Sequence, residues 1–112
     1  MSSNKIQSSV TYDLKQLVNY AAGATVSKIL AKEKNGNTTL FAFDKSQNLS
    51  EHTAPFDATA LIIDGNCKIT IDGKDHHLQE GQLIIMPANI PHALEATERF
   101  KMLLIMIKNE TL

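Results

Sequence analysis

At 112 residues the chain has room for one hydrophobic core, and not for a catalytic domain beside a separate regulatory one. Eleven lysines and arginines against twelve aspartates and glutamates leave a net charge of −1, and without a basic block that could track phosphates no nucleic-acid partner is expected. No membrane partner is expected either, because the longest unbroken apolar run, Met102 to Ile107, is far short of a span.

The first nine residues, Met1 to Ser9, lack the apolar core of a signal peptide and read as a loose arm. Asp13 to Ala22 is the one stretch with helical spacing, through Leu14, Leu17, Val18 and Ala21, with Asp13 placed to cap it. Residues 1–24 are therefore an N-terminal arm with a short strand or helix, and residues 25–112 the main domain. From Thr25 onward short strands follow one another at close spacing, which points to an all-β sandwich or barrel. Thr25 to Lys34 and Asn37 to Phe43 flank Asn35-Gly36, a strong hairpin signal. Leu49 to Thr53 and Ala58 to Asp64 lie on either side of a break at Pro55. Cys67 to Ile71 alternates with period two, turns at Asp72-Gly73 and returns through Lys74 to Leu78. Gln82 to Met86, His92 to Ala96 and Phe100 to Lys108 complete the set.

The last of these strands is apolar on both faces, Met102/Leu104/Met106 and Leu103/Ile105/Ile107, so both must be covered. One face fills the barrel. The other requires a second sheet, the N-terminal segment or another subunit, and a homodimer is the expected partner state, with intramolecular covering as its equal alternative. The single cysteine, Cys67, permits no internal disulfide; it reads as a small core residue and suggests a cytoplasmic location.

Two stretches carry the chemistry. Read against the pattern G-x5-H-x-H-x3-E-x6-G, the first supplies Ser46, His52, Ala54, Ala58 and Gly65. Against G-x5-P-x-G-x2-H-x3-N, the second supplies Gly81, Pro87, Asn89, His92 and Ala96. With this spacing, residues 38 to 107 resemble the cupin superfamily, specifically its small single-domain conserved-barrel type. The resemblance implies a double-stranded β-helix, or jelly-roll barrel, with a short N-terminal extension. Asn89 is the non-glycine residue best suited to the left-handed conformation its position calls for.

In metal-bearing cupins the two histidines and the glutamate of the first motif join the histidine of the second around iron, manganese, nickel, zinc or copper. Here the resemblance carries over only His52 and His92, while Ala54 and Ala58 offer no lone pair. Asp57 is the obvious carboxylate to restore a facial triad, ahead of Glu51 and Glu95, which have the same parity problem relative to His52 and His92. Residues 52, 54 and 58 share strand parity and Asp57 does not, so it would need a bulge at Pro55 to turn inward; a turn or surface role is the stronger reading. His76 and His77 are adjacent on a strand, point to opposite faces, and read as exposed.

The alanines also have a positive meaning. Phe41, Phe43, Ala54, Ala58, Ile62, Leu94, Met102 and Leu104, with His92, would line an apolar pocket with few polar groups, the usual recipe for a small organic ligand. Larger neighbours collapsing into a solid core is the alternative. Two functions follow: a module binding a small, partly apolar or acidic molecule with no certain cofactor, or a metal-dependent oxygenase, isomerase or decarboxylase built on His52 and His92. No nucleophile–base spacing or phosphate loop supports other catalysis.

Overall fold

The computed structural model describes residues 5–108. The loose arm expected over the first nine residues falls partly outside that range. Eight strands follow a 3-10 turn at Leu14–Gln16: β1 (Thr25–Glu33), β2 (Gly36–Phe43), β3 (Asn48–His52), β4 (Asp57–Ile71), β5 (Lys74–Gln79), β6 (Leu83–Met86), β7 (His92–Glu95) and β8 (Phe100–Ile107). Every pairing is antiparallel. One layer runs β1-β2-β8-β4-β6, and the other β3-β7-β4-β5. This is the jelly-roll barrel the motifs imply.

β4 belongs to both layers. Its first half, Asp57 to Gly65, pairs with β8, and its second half, Asn66 to Ile71, pairs with β5. The sequence suggests two strands here, because Gly65 breaks the alternation. The chain in fact continues as one strand that bends at Gly65, whose φ is +71° and whose Cα lies so close to β8 that a Cβ would sit 1.9 Å from the Arg99 carbonyl oxygen. The Gly81 turn locks this corner: Gly81 N–H donates to Ile62 O at 2.8 Å and Ile62 N–H to Gln82 O at 2.9 Å.

Both hairpins form. Ile71 pairs with Lys74 across Asp72-Gly73, which carry φ of 51° and 78°, the signs a type I′ turn requires. The β1–β2 loop is Lys34-Asn35, one residue earlier than the Asn35-Gly36 signal implies, since Glu33 pairs with Gly36. Gly36 serves packing instead: a Cβ there would lie 2.4 Å from the Met106 carbonyl oxygen.

Between the layers the core contains Phe43, Ala60, Ile62, Cys67, Ile69, Phe100 and Met102, all essentially inaccessible. Phe43 and Phe100 stack with centroids 4.5 Å apart. Burial pushes the Cys67 thiol up to about 12, so it stays a neutral core residue. A second cluster lies outside the barrel, where Leu17, Val18 and Tyr20 cover Leu40, Ala42, Ile63 and Leu103. The helix expected over Asp13 to Ala22 is thus reduced to one 3-10 turn, with the Asp13 carboxylate accepting from Lys15 N–H. So short a helix has little stability of its own, and an irregular strap sets three side chains on the sheet.

Candidate functional site

Two short loops meet at one end of the barrel. The first joins β3 in one layer to β4 in the other through Thr53 to Phe56; the second joins β6 to β7 through Pro87 to Pro91. Asn89 N–H donates to Ala54 O at 2.7 Å and Ala88 N–H to the Asp57 carboxylate at 2.8 Å, which ties the loops together. Asn89 has φ +63°, the left-handed conformation expected of it. His52 ends β3 and His92 begins β7, so both histidines stand at this end.

His92 faces the barrel with Leu94 and is buried, 5% exposed. His52 reaches it through a bulge. Leu49 pairs with Leu94 and His52 with His92, so three residues of β3 span what two span on β7. In a regular strand residues 49 and 52 would face opposite sides; the extra residue re-aims His52. The rings meet edge to face with centroids 4.4 Å apart. His52 Nδ1 is 2.8 Å from Ser50 O and His92 Nδ1 is 3.2 Å from Ile90 O. A carbonyl oxygen can only accept, so each Nδ1 carries the proton and each neutral ring keeps its lone pair on Nε2. Burial, with a smaller effect from His52, holds the His92 pKa below its ordinary value, against the opposing pull of the Ile90 carbonyl.

Asp57 has a different task. It is exposed, and its carboxylate receives the Ala88 N–H, bracing the second loop. Among the described residues no three His, Cys, Asp or Glu side chains are grouped as a metal would need. Ala54 and Ala58 occupy the two remaining motif positions without a donor atom. The residues present therefore do not fit a three- or four-ligand metal centre of the kind the family's motif builds. Glu51 and Glu95 are exposed, and Glu95 pairs with Lys68 at 3.3 Å.

The expected pocket residues divide by depth. Phe43, Ile62, Leu94 and Met102 are fully packed in the core cluster, while Phe41 and Leu104 are partly open and Ala58 is buried. Ala54 lies in the β3–β4 loop, half-buried. Met86, which pairs with Ala58, and Ile71, Ile84 and Met106 also belong to the inward-facing wall; all but Met86 are partly open. Met106 shares strand parity with Leu104, but no local signal sets Met86, Ile71 and Ile84 on the same wall; only the cross-strand register does. Beside Met106 a cleft of about 140 Å³ is lined by Phe56 and Asn37, with Lys32, Lys34, Lys108 and Glu33 around it. His77 is exposed as expected, whereas His76 is half-buried, because it pairs with inward-facing Ile69. Among the described residues no helix is long and apolar enough to cross a membrane.

Residues 39–108 match the Cupin_2 family, described as the cupin domain, and the chain belongs to that family. A conserved protein of unknown function from Streptococcus pyogenes is 40% identical, over 99% of this chain and 98% of its own, with a TM-score of 0.90. A cupin 2 conserved barrel domain protein from Leptotrichia buccalis is 44% identical with a TM-score of 0.85, over 87% of this chain and 47% of its own, so this chain spans about half of it. A cupin superfamily protein from Desulfitobacterium hafniense is 28% identical over 96% of this chain and 97% of its own, with a TM-score of 0.87. No curated protein matches the chain.

Proposed function

We propose that this cupin is a small-molecule binding module of the cytoplasm, whose open barrel end receives an organic ligand with an apolar body and a hydrogen-bond donor. The observation that carries the reading is the paired tautomer: both Nδ1 atoms are committed to backbone carbonyls, which leaves two Nε2 acceptors on rings 4.4 Å apart at the end of a barrel whose inner wall includes Ala58, Met86, Leu104 and Met106. A concave apolar wall with two convergent polar atoms suits binding, and a His92 kept neutral favours a donor over an anion at the ring. An acidic group on the same ligand fits farther out, beside Lys32, Lys34 and Lys108.

The two Nε2 lone pairs also favour a second reading, a metal-dependent oxygenase, isomerase or decarboxylase in which His52 and His92 contribute two ligands and solvent or substrate the rest. Metal analysis of untagged protein, purified without chelator and then offered iron, manganese, nickel, zinc and copper, separates the two. The binding module predicts far less than one metal per chain in wild type and in His52→Ala alike. Near-stoichiometric metal that is lost in His52→Ala would establish the second reading and sink the first.

A further inference from the structure

The lysines of this chain divide into two groups. Lys15, Lys45 and Lys68 pair with acids, and buried Lys101 donates to the Lys15 carbonyl oxygen. Lys32, Lys34 and Lys108 have no ion pair among the described residues, and all three line the cleft of about 140 Å³ beside Met106. Backbone geometry brings them together: Lys32 is near the end of β1, Lys34 is in the hairpin loop, and Lys108 follows β8, its N–H donating to Asn35 O at 2.7 Å. The register sorts the charges by face. Met86, Ala58, Met106, Asn37 and Lys32 form one cross-strand row on the barrel-facing side, running from the buried core out to the exposed lysine. The adjoining row, Glu33, Gly36, Ile107 and Asp57, faces the other way, and Glu33 is the one acid among the residues lining the cleft. Phe56 supplies an aromatic wall and ends the loop that starts from His52. Four residues reach at most about 14 Å, so the cleft opens beside the histidine end of the barrel.

We propose, on the reading of the barrel as a small-molecule site, that this cleft holds the phosphate of an organic phosphate monoester whose body enters the barrel. Charge selects the head group. Three lysines against one glutamate leave an excess that a single carboxylate does not balance, whereas a phosphate monoester brings a charge of about −1.5 to −2 and three terminal oxygens. Lysine ammoniums act on phosphate as adaptable point charges, while bidentate carboxylate recognition calls for the arginine fork, and no arginine lines the cleft. Position agrees with charge. The Nε2 lone pairs of His52 and His92 repel an anion, and the barrel interior would penalise one, so the charged end of a ligand stays outside at the exposed lysines. The cleft volume is close to the ~150 Å³ that admits benzene, enough for a phosphate and the first atoms of its body against Phe56 and Met106.

Amide NMR titrations of the full chain, at mildly alkaline pH and constant ionic strength, test it. Inorganic phosphate should shift the Asn37, Met106 and Lys108 amides saturably, with acetate about 5-fold weaker and phenyl phosphate about 5-fold tighter than inorganic phosphate. Lys32→Gln and Lys108→Gln should each weaken phosphate binding about 5-fold. Lys74→Gln is the control, since Lys74 is exposed on β5, away from the cleft, and its loss should change nothing. The amide spectrum itself shows that each variant is folded. Shifts that do not saturate, acetate bound as well as phosphate, phenyl phosphate no tighter than free phosphate, or Lys32→Gln and Lys108→Gln that bind like wild type or like Lys74→Gln would each overturn the proposal. Phenol, a neutral donor on an apolar ring, keeps the barrel reading separate, because it should move the His52 and His92 ring resonances and leave the Lys108 amide in place. Phenol active at the rings with phosphate inert would sink the lysine subsite and spare the barrel reading; phosphate bound as expected with the rings unmoved by phenol would uphold the subsite and count against the barrel reading alone.

Discussion

Ser46 and Asn89 stand where the family's two motifs have glycine, and both keep the glycine conformation, with φ of 76° and 63°. The backbone demand has outlived the residue that met it most cheaply. Ser46 N–H donates to Ala96 O at 2.8 Å and Ala96 N–H to Gln47 O at 2.9 Å, so the turn cannot relax without losing both bonds. A left-handed non-glycine residue costs about 1–2 kcal/mol, partly offset by the larger unfolded-state entropy of glycine. Ser46→Gly should therefore stabilise the protein by about 0.5–1 kcal/mol, read as a melting temperature higher by a few degrees. Asn89→Gly should gain less, because asparagine tolerates this conformation; a drop in melting temperature for Ser46→Gly would contradict the account. His92 sets a pH dependence at the same scale. Its folded pKa lies below the ordinary value of 6.5, so between the two values the unfolded chain binds more protons than the folded one. The stability due to neutral His92 is complete above about pH 6.5 and is lost as pH falls toward the folded pKa. Thermal unfolding from pH 7.5 to 5 should show a steeper fall for wild type than for His92→Gln, and equal slopes would refute it.

At the scale of elements, β4 explains both what the sequence discloses and what it conceals. Strand alternation, the Asp72-Gly73 turn and the spacing between motifs are local signals, and the strands they indicate are present. That Ala58–Asp64 and Cys67–Ile71 form one continuous strand is not local information, because Gly65 looks like a terminator unless β8 lies against it. His52 conceals itself in the same way. Its inward direction depends on a bulge that exists only in register with β7, and the parity count from Ala54 and Ala58 runs across a loop where parity has no meaning. Asp57 was legible as a non-inward residue, yet its bond to Ala88 N–H joins segments 31 positions apart. Gly65 permits a direct test. Gly65→Ala adds both left-handed strain and a Cβ 1.9 Å from the Arg99 carbonyl oxygen, while Gly73→Ala, at φ +78° with nothing within 4 Å, adds strain alone. Urea unfolding should give a loss of about 1–2 kcal/mol for Gly73→Ala and clearly more, about 3 kcal/mol, for Gly65→Ala. Equal losses would mean that β8 yields and that the bend is not held by close approach.

For the molecule as a whole, the N-terminal strap determines how much of the outer sheet is left bare, and its anchor is Tyr20. The Tyr20 hydroxyl donates to the Asp64 carboxylate at 2.6 Å, and the ring has the Arg99 guanidinium and the Lys101 ammonium each 5.0 Å from its centroid. Asp44 secures the chain just beyond, receiving Gly23 N–H at 2.7 Å and Arg99 Nε–H at 2.8 Å. Burial and the Asp64 carboxylate raise the Tyr20 pKa, so the phenol remains a donor under alkaline conditions. Tyr20→Phe keeps the ring, and with it Leu40, Ala42 and the cation contacts, but leaves Asp64 without its shortest partner. A hydrogen bond to a charged acceptor contributes about 1.5–3 kcal/mol when buried; with Tyr20 partly open and Lys15 still 3.8 Å from Asp64, about 1 kcal/mol is the expected loss in urea unfolding. Tyr20→Ala removes the ring as well and should cost at least twice as much, because it uncovers part of the second core cluster. Hydrogen exchange locates the effect: in Tyr20→Ala the amides of β1 and β2 should lose protection while those of β5 and β7 keep it. Uniform loss across all strands would show that strap and barrel unfold as one unit, and protection unchanged in β1 and β2 would show that the strap contributes nothing to the sheet it covers.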